Sequence, residues 1–436
     1  MDAVKVFVKS FGCSTNLADG EVLAGCLSEA GYKLVGDVAS ADVVVYNTCA
    51  VKGPTENRMI DVLRRVPKDK KLIVVGCLPL INFERLCKEV CFDGVAGPAL
   101  GHKIVSIVER VLRGEKILAL ENAQSSKPSL SLPRIRINPV IGIIPVNYGC
   151  LGSCSYCCVV FARGRLRSYS IKEIVERIRK DLADGVKEFW LTSQDTACYG
   201  RDIGTDLPEL IDAVCKIEGF FKVRIGMMTP NMALNILEDL IQVFKNDKIF
   251  KFIHLPVQSG DDQILKSMRR FYSTADFKKL VEAFRAEFPK ITLATDVICG
   301  FPGETGEAFK RTMQFIEDVK PDIVNISKFF ARPKTPAAKM DGTVSFSQIK
   351  ARSAALAHLA AKIAMEKNQS WIGWEGEIIV DEVGKVKDSW VGRNFAYKPV
   401  VVRNRENLLG KKLSVKIVNA FYTNLEGEIV KQALTC

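Results

Sequence analysis

The sequence lacks any long apolar run: none reaches ten residues, and a membrane-spanning helix needs roughly 20. It also lacks a low-complexity tract, and the opening MDAVKVFVKSFGC passes straight into a strand-like pattern with no signal-peptide layout. These absences point away from a membrane, disordered or secreted protein. The expectation is a cytoplasmic chain with no membrane partner. What is present fits that expectation: 47% of residues are apolar and 26% charged, as in a folded protein. At 436 residues the chain is too long for one ordinary core. In a reducing compartment its 14 cysteines read as buried residues and metal ligands rather than as a disulfide framework. A net charge of +12 favours a polyanionic partner, nucleic acid first.

Three regions follow from the patterning. Over residues 1–115 the apolar runs KVFVKSF, DVVVYNTC, KLIVVGC and the shorter DGVAG alternate with amphipathic stretches, the mark of βαβ units and a parallel α/β domain. Residues 116–139, rich in Ser and Pro, read as a linker. Residues 140–369 hold six strand candidates, VIGIIPVNYG, EFWLTS, KVRIGMMT, KFIHLPVQ, TLATDVICGF and DIVNISKFFA. Helical patterns separate them, which predicts an incomplete (β/α)6 barrel closed by a long helix over FSQIKARSAALAHLAAKIAMEKNQSW. Over 370–436 the short alternating runs GEIIVDEV, KPVVVRN, KLSVKIVNAF and EGEIVKQ predict a small all-β barrel.

Four cysteines fall within nine residues of NYGCLGSCSYCCVVFARGRLRSY, just past the first barrel strand. Cys150, Cys154 and Cys157, spaced C-x3-C-x2-C, can each reach a different iron of a cubane and leave one iron without a protein ligand. A zinc site would want a fourth ligand nearby, and no histidine is close. Cys158, adjacent to Cys157, is expected to pack rather than bind. The spacing resembles that of the radical S-adenosylmethionine (SAM) enzymes. That resemblance implies a [4Fe-4S] cluster whose open iron holds SAM, cleaved to a radical for C–H bonds of no useful acidity. Other strand ends are expected to complete the SAM site: Ser193, Gln194 and Asp195 after the second strand, Gln258 and Ser259 after the fourth, and Asp296 and Gly300 on the fifth.

Cys13, Cys49 and Cys77 each end a strand of the first domain. Strand ends of a parallel sheet share one edge, so the three thiols are expected to converge as a second three-cysteine cluster site. Cys87 and Cys91 share a helix spacing and are expected to pack beneath the sheet. Cys26, Cys198, Cys215, Cys299 and Cys436 receive no role.

SFGCSTNLADGE, NTCAVKGPTENR and VVGCLPL resemble the amino-terminal signatures of the methylthiotransferases. GCLGSCSYCCVVFARGRLRSY, LPVQSG, TDVICGFPGET and RPKTPAAKM resemble their radical SAM domain, and the last barrel, with GRNFAYKPVVV, is similar to their RNA-binding TRAM module. Within that family the chain resembles the archaeal and eukaryotic branch. The resemblance implies conversion of N6-threonylcarbamoyladenosine, next to the tRNA anticodon, to its 2-methylthio derivative by sulfur insertion at adenine C2. It implies two [4Fe-4S] clusters, SAM, an electron donor protein and a sulfur source. Arg163, Arg165 and Arg167 are then expected to meet tRNA phosphates or the threonyl carboxylate. Residues 385–416 add nine Lys or Arg against Asp388 and Glu406, a surplus of +7. Alternative readings are a methylthiotransferase for isopentenyladenosine or for a protein side chain, and a non-catalytic iron–sulfur protein that binds RNA or senses redox state.

Overall fold

The computed structural model describes residues 3–51, 53–121, 125 and 127–430; Cys436 lies outside them. The first domain is a six-stranded parallel sheet of β1 (Lys5–Ser10), β2 (Lys33–Leu34), β3 (Val43–Thr48), β4 (Lys71–Gly76), β5 (Gly94–Ala96) and β6 (Ile117–Ala119), in the order β2-β1-β3-β4-β5-β6. Side chains of β3 alternate between its two faces. Val44 and Tyr46 join Met59 and Leu63 on one side, while Val43 and Val45 join Leu23 and Leu27 on the other. Both faces are covered, which is why VVVYNT carries no polar stripe. The sheet reaches past residue 115, because β6 pairs with β5.

β7 (Ile141–Pro145) leads into an antiparallel ribbon of β8 (Asn147–Tyr148) and β9 (Arg167–Ser168) that frames the cysteine loop. β10 (Glu188–Thr192) and β11 (Lys222–Ile225) complete a parallel sheet ordered β11-β10-β7. β12 (Phe252–His254), β13 (Thr292–Cys299) and β14 (Ile323–Lys328) form a second, ordered β12-β13-β14. A parallel bridge from Val223 to Ile249, just before β12, and a bond from the Met228 N–H to the His254 carbonyl at 2.9 Å join the two sheets. All six expected strands are present, and the incomplete barrel is two three-stranded halves. The helix Phe346–Gln369 packs along β14 and begins at a capping box in which Ser345 and Gln348 satisfy each other's backbone N–H. Among the described residues no helix is long and apolar enough to cross a membrane.

The last domain is a closed barrel of β15 (Glu375–Val383), β16 (Ser389–Arg393), β17 (Pro399–Arg403), β18 (Lys412–Ala420) and β19 (Leu425–Ile429), in the order β15-β16-β17-β19-β18. β16, SWVGR, carries no alternating pattern that marks it as a strand in the sequence. Its Gly392 weakens the strand signal, yet a Cβ there would lie 2.9 Å from the Ile379 carbonyl oxygen, closer than packed atoms come. The turn after β16 anchors this domain to the middle one. The Tyr397 ring lies 4.8 Å from Phe250 and 5.2 Å from Phe252, and its hydroxyl donates to Glu188 at 2.9 Å. Next to it, the buried Lys398 Nζ donates to Asp322 at 2.7 Å and Asn368 at 2.9 Å.

Candidate active site

The cysteine loop is built by backbone constraint. Gly149 has φ +76°, and a Cβ on it would lie 2.0 Å from the Arg165 carbonyl oxygen, so only glycine fits. The Gln194 amide oxygen accepts the Gly149 N–H at 2.8 Å and the Gly164 carbonyl accepts that of Cys150 at 3.3 Å. Ser155 ties the middle of the loop to the carboxyl end of the helix Asp262–Ser267, through bonds to the carbonyls of Ser267 and Met268.

Around the sulfurs, the Gly152 N–H donates to Cys150 Sγ at 3.1 Å and Arg270 Nη1 to Cys154 Sγ at 3.2 Å. Nothing in its sequence context, MRRFY, marks Arg270 as a site residue. A Cβ at Gly152 would lie 3.2 Å from Cys150 Sγ and 3.8 Å from Cys154 Sγ, so glycine leaves open the space beside both sulfurs. Burial pushes the Cys150 thiol up to about 11 and raises that of Cys157 further. Donors aimed at sulfur, open space and buried thiols in need of counter-charge together fit an iron–sulfur cluster. Among the described residues no three Cys, His, Asp or Glu side chains gather tightly enough to share one metal ion. A cubane does not require that, since its ligands sit on separate irons.

The other three cysteines lie along one sheet edge. Thr48 pairs with Gly76, placing Cys49 and Cys77 side by side, with the Cys77 N–H donating to the Thr48 carbonyl at 3.0 Å. Cys13 caps the helix Ser14–Glu29, and a Cβ on the preceding Gly12 would lie 2.7 Å from Cys49 Cβ. Cys49 and Cys77 are buried and Cys13 is exposed. Burial pushes the Cys77 thiol up to about 12, opposed chiefly by the Arg163 charge, and raises Cys49 as well. This donor set also fits a cluster.

Several side chains take other roles than those expected of them. Arg163 does not face solvent: it is 2% exposed, and its Nη2 donates to Asp19 at 2.8 Å and Asn16 at 2.9 Å, because the short helix Val159–Arg163 docks on the first domain. The half-buried Arg167 donates to the carbonyls of Arg163 and Arg165, bracing the loop. Arg165 alone of the three is exposed. Asp195 is buried, and burial raises its carboxyl; it accepts from Ala197 and Thr229 backbone N–H groups. Ser193 Oγ accepts the Asp195 N–H at 3.1 Å. Ser259 is buried against Thr312 and accepts the Asp261 N–H. Gly300 (φ +81°) faces the closing helix, where a Cβ would lie 2.3 Å from Ile349 Cγ1, so its missing side chain serves packing. Asp296 meets His254 Nε2 at 2.5 Å, and Gln258 holds the left-handed φ of +72° that ordinary side chains avoid. Cys158 is buried in one apolar cluster with Cys77, whereas Cys87 and Cys91 are exposed instead of lying beneath the sheet.

Further contacts fix the first domain to the second. Tyr148 Oη donates to Asp19 at 2.5 Å, Ser14 and Thr192 hydroxyls meet at 2.6 Å, and Arg332 forms a buried ion pair with Glu56. Arg332 lies 276 residues from its partner, so no local pattern announces the pair.

This fold and this cysteine loop define a radical SAM enzyme, and residues 144–316 match the model of the Radical SAM superfamily. Residues 5–97 match that of Uncharacterized protein family UPF0004. The chain is similar to a probable threonylcarbamoyladenosine tRNA methylthiotransferase of Pyrococcus horikoshii, at 39% identity over 98% of this chain and 100% of the relative. It is similar to the threonylcarbamoyladenosine tRNA methylthiotransferase of Drosophila melanogaster, at 38% identity over 98% of this chain and 78% of that one. The chain therefore belongs to the threonylcarbamoyladenosine tRNA methylthiotransferase family, and to the superfamily that works with SAM and a [4Fe-4S] cluster. Its fold is like that of the radical SAM methyltransferase TsrM from Kitasatospora setae, with a TM-score of 0.57 at 16% identity over 77% of this chain and 75% of that one.

Proposed function

We propose that the chain converts N6-threonylcarbamoyladenosine beside the tRNA anticodon to its 2-methylthio derivative in the cytoplasm. In this reading Cys150, Cys154 and Cys157 hold one [4Fe-4S] cluster and Cys13, Cys49 and Cys77 a second. The observation that carries it is the pairing of two cysteine trios, one on the loop past the first barrel strand and one at the carboxyl ends of β1, β3 and β4, in domains fastened by the buried Arg163–Asp19 and Arg332–Glu56 pairs. A cluster held by Cys150, Cys154 and Cys157 together with SAM would supply radical chemistry suited to adenine C2–H, a bond without useful acidity.

The chain's own residues grip, orient and shield. Gly152 and Arg270 aim N–H groups at the thiolates of the first trio. Gln194 and Asp195 stiffen the loop ends around it, while Ser193, Gln258 and Asp296 line the SAM side and Ser259 and Gly300 shape the backbone behind. Arg165 at the exposed rim meets a tRNA phosphate. In the last barrel the exposed Lys385, Lys387, Arg403 and Arg405 track the backbone, whereas Arg393 and Lys398 are spent on Asp381 and Asp322. The domain limits of this reading are 1–115, 140–369 and 370–436, with a linker at 116–139 whose first residues, as β6, extend the first sheet.

The test is anaerobic reconstitution with iron, sulfide, SAM, a reductant and tRNA carrying the threonylcarbamoyl group, followed by mass spectrometry of the nucleosides. The parent chain is expected to hold about eight irons and to add a methylthio group. Replacing Cys13, Cys49 and Cys77 by Ala leaves about four irons and SAM cleavage but no sulfur insertion. A methylthio product from that variant would overturn the reading.

A further inference from the structure

Arg163 sits in the loop of one cysteine trio but reaches the other. It lies six positions after Cys157, on a helix whose Cys158 and Ala162 pack in one apolar cluster with Cys77 and Leu78. Asn16, which accepts from Arg163 Nη2, donates in turn to the carbonyls of Phe11 at 2.5 Å and Thr48 at 3.2 Å. Those carbonyls belong to the loops that carry Cys13 and Cys49. The guanidinium is thus held at the sheet edge where the amino-terminal thiols gather, 5.6 Å from the Tyr148 ring.

One arm of this fork is unsatisfied, with the Cys77 thiol within its reach. Nη2 serves Asp19 and Asn16, while Nη1 is buried with no hydrogen-bond partner among the described residues. A buried guanidinium N–H without an acceptor is costly and calls for an explanation, and beside a trio of thiols the fitting one is a sulfur acceptor. The electrostatics agree with the placement. Burial disfavours the Arg163 charge, and Asp19 followed by the thiols of Cys77 and Cys13 outweigh that. One aspartate balances one arginine, so the trio of thiolates and the cluster they hold add the further negative charge that the free donor faces.

We propose that Arg163 Nη1 donates a hydrogen bond to a sulfur of the amino-terminal cluster, either a cysteine thiolate or an inorganic sulfide. It is then a positioning residue that sets that cluster's reduction potential and holds its sulfur toward the neighbouring site. This rests on Cys13, Cys49 and Cys77 binding a cluster. A donor and a positive charge beside cluster sulfur stabilise the reduced, more negative form.

The test uses the full chain with Cys150, Cys154 and Cys157 changed to Ala, so that only the amino-terminal trio can load. Iron content and an EPR-monitored redox titration are compared for this background and for the same background with Arg163→Gln or Arg163→Lys. Glutamine is expected to make reduction about tenfold less favourable, a midpoint lower by about 59 mV for one electron. Lysine, kept at Asp19 but without the second arm of the fork, lowers the midpoint by less. If Arg163→Gln fails to fold, Arg163→Lys decides, and a midpoint equal to the background's in either folded variant overturns the inference. If the background itself binds no iron, the two-cluster reading fails instead. Loss of iron from a variant whose apo form melts like the background's supports the contact.

Discussion

The ion pair between Glu56 and Arg332 gives an asymmetric prediction. Both side chains are almost fully buried, 2% and 3% exposed. Removing one partner of a buried pair costs about 3–5 kcal/mol when the other is left without compensation. The two partners differ in what remains. Glu56→Gln strands the Arg332 charge, whose Nε already has no hydrogen-bond partner among the described residues. Arg332→Met leaves Glu56 with Arg85 at 2.9 Å and Asn82 at 2.8 Å, so its anion stays paired. Glu56→Gln is therefore expected to cost about 3–5 kcal/mol and Arg332→Met about 1–3 kcal/mol. The double variant should cost less than the sum, because it leaves no stranded charge. Since a three-domain chain need not unfold in one step, the assay is hydrogen exchange across the helix Gly53–Arg64 in dilute urea. If Arg332→Met costs as much as Glu56→Gln, Arg85 does not compensate and the reasoning is refuted.

Two other predictions concern pH and salt. Burial raises the Glu21 carboxyl from 4.5 to about 7. Between those values the folded chain keeps a proton that the unfolded chain releases, so stability falls as pH rises through that window. Glu21→Gln should flatten the dependence and add about 3 kcal/mol at pH 8, read from hydrogen-exchange protection of the helix Ser14–Glu29 at pH 5 and 8; an equal pH dependence in parent and variant would contradict this. Binding of tRNA should weaken steeply with salt, and neutralising Lys385, Lys387, Arg403 and Arg405 together should lower the log–log slope by about 0.7–0.9 per lost phosphate contact. An unchanged slope would remove these side chains from the interface.

Much of the architecture is legible in the chain because its signals are local. The six barrel strands are short apolar runs set off by amphipathic helices; Cys13, Cys49 and Cys77 each stand at the end of such a run, and the spacing of Cys150, Cys154 and Cys157 marks the other trio within one loop. What is not legible depends on contacts between distant segments. ARGRLRSY reads as three surface arginines at a site mouth, but the helix Val159–Arg163 turns its last residue into the first domain, and only Arg165 faces outward. The +7 surplus of residues 385–416 overstates the cationic face, since Lys412 and Lys416 pair with Glu377 and Glu375 outside that segment and Lys398 pairs with Asp322. Glycines mislead similarly: Gly300 looks like a ligand-facing residue, yet its missing side chain admits a helix.

The turn carrying Tyr397 and Lys398 has an implication for modularity. Its aromatic ring and ammonium form part of the floor of the middle domain, wedged among Phe250, Phe252, Glu188 and Asp322. The terminal barrel is consequently no detachable cartridge. A chimera that imports a foreign barrel without this stopper would leave a hole at the amino ends of the barrel strands, whereas one that transplants the stopper with it should preserve the seal.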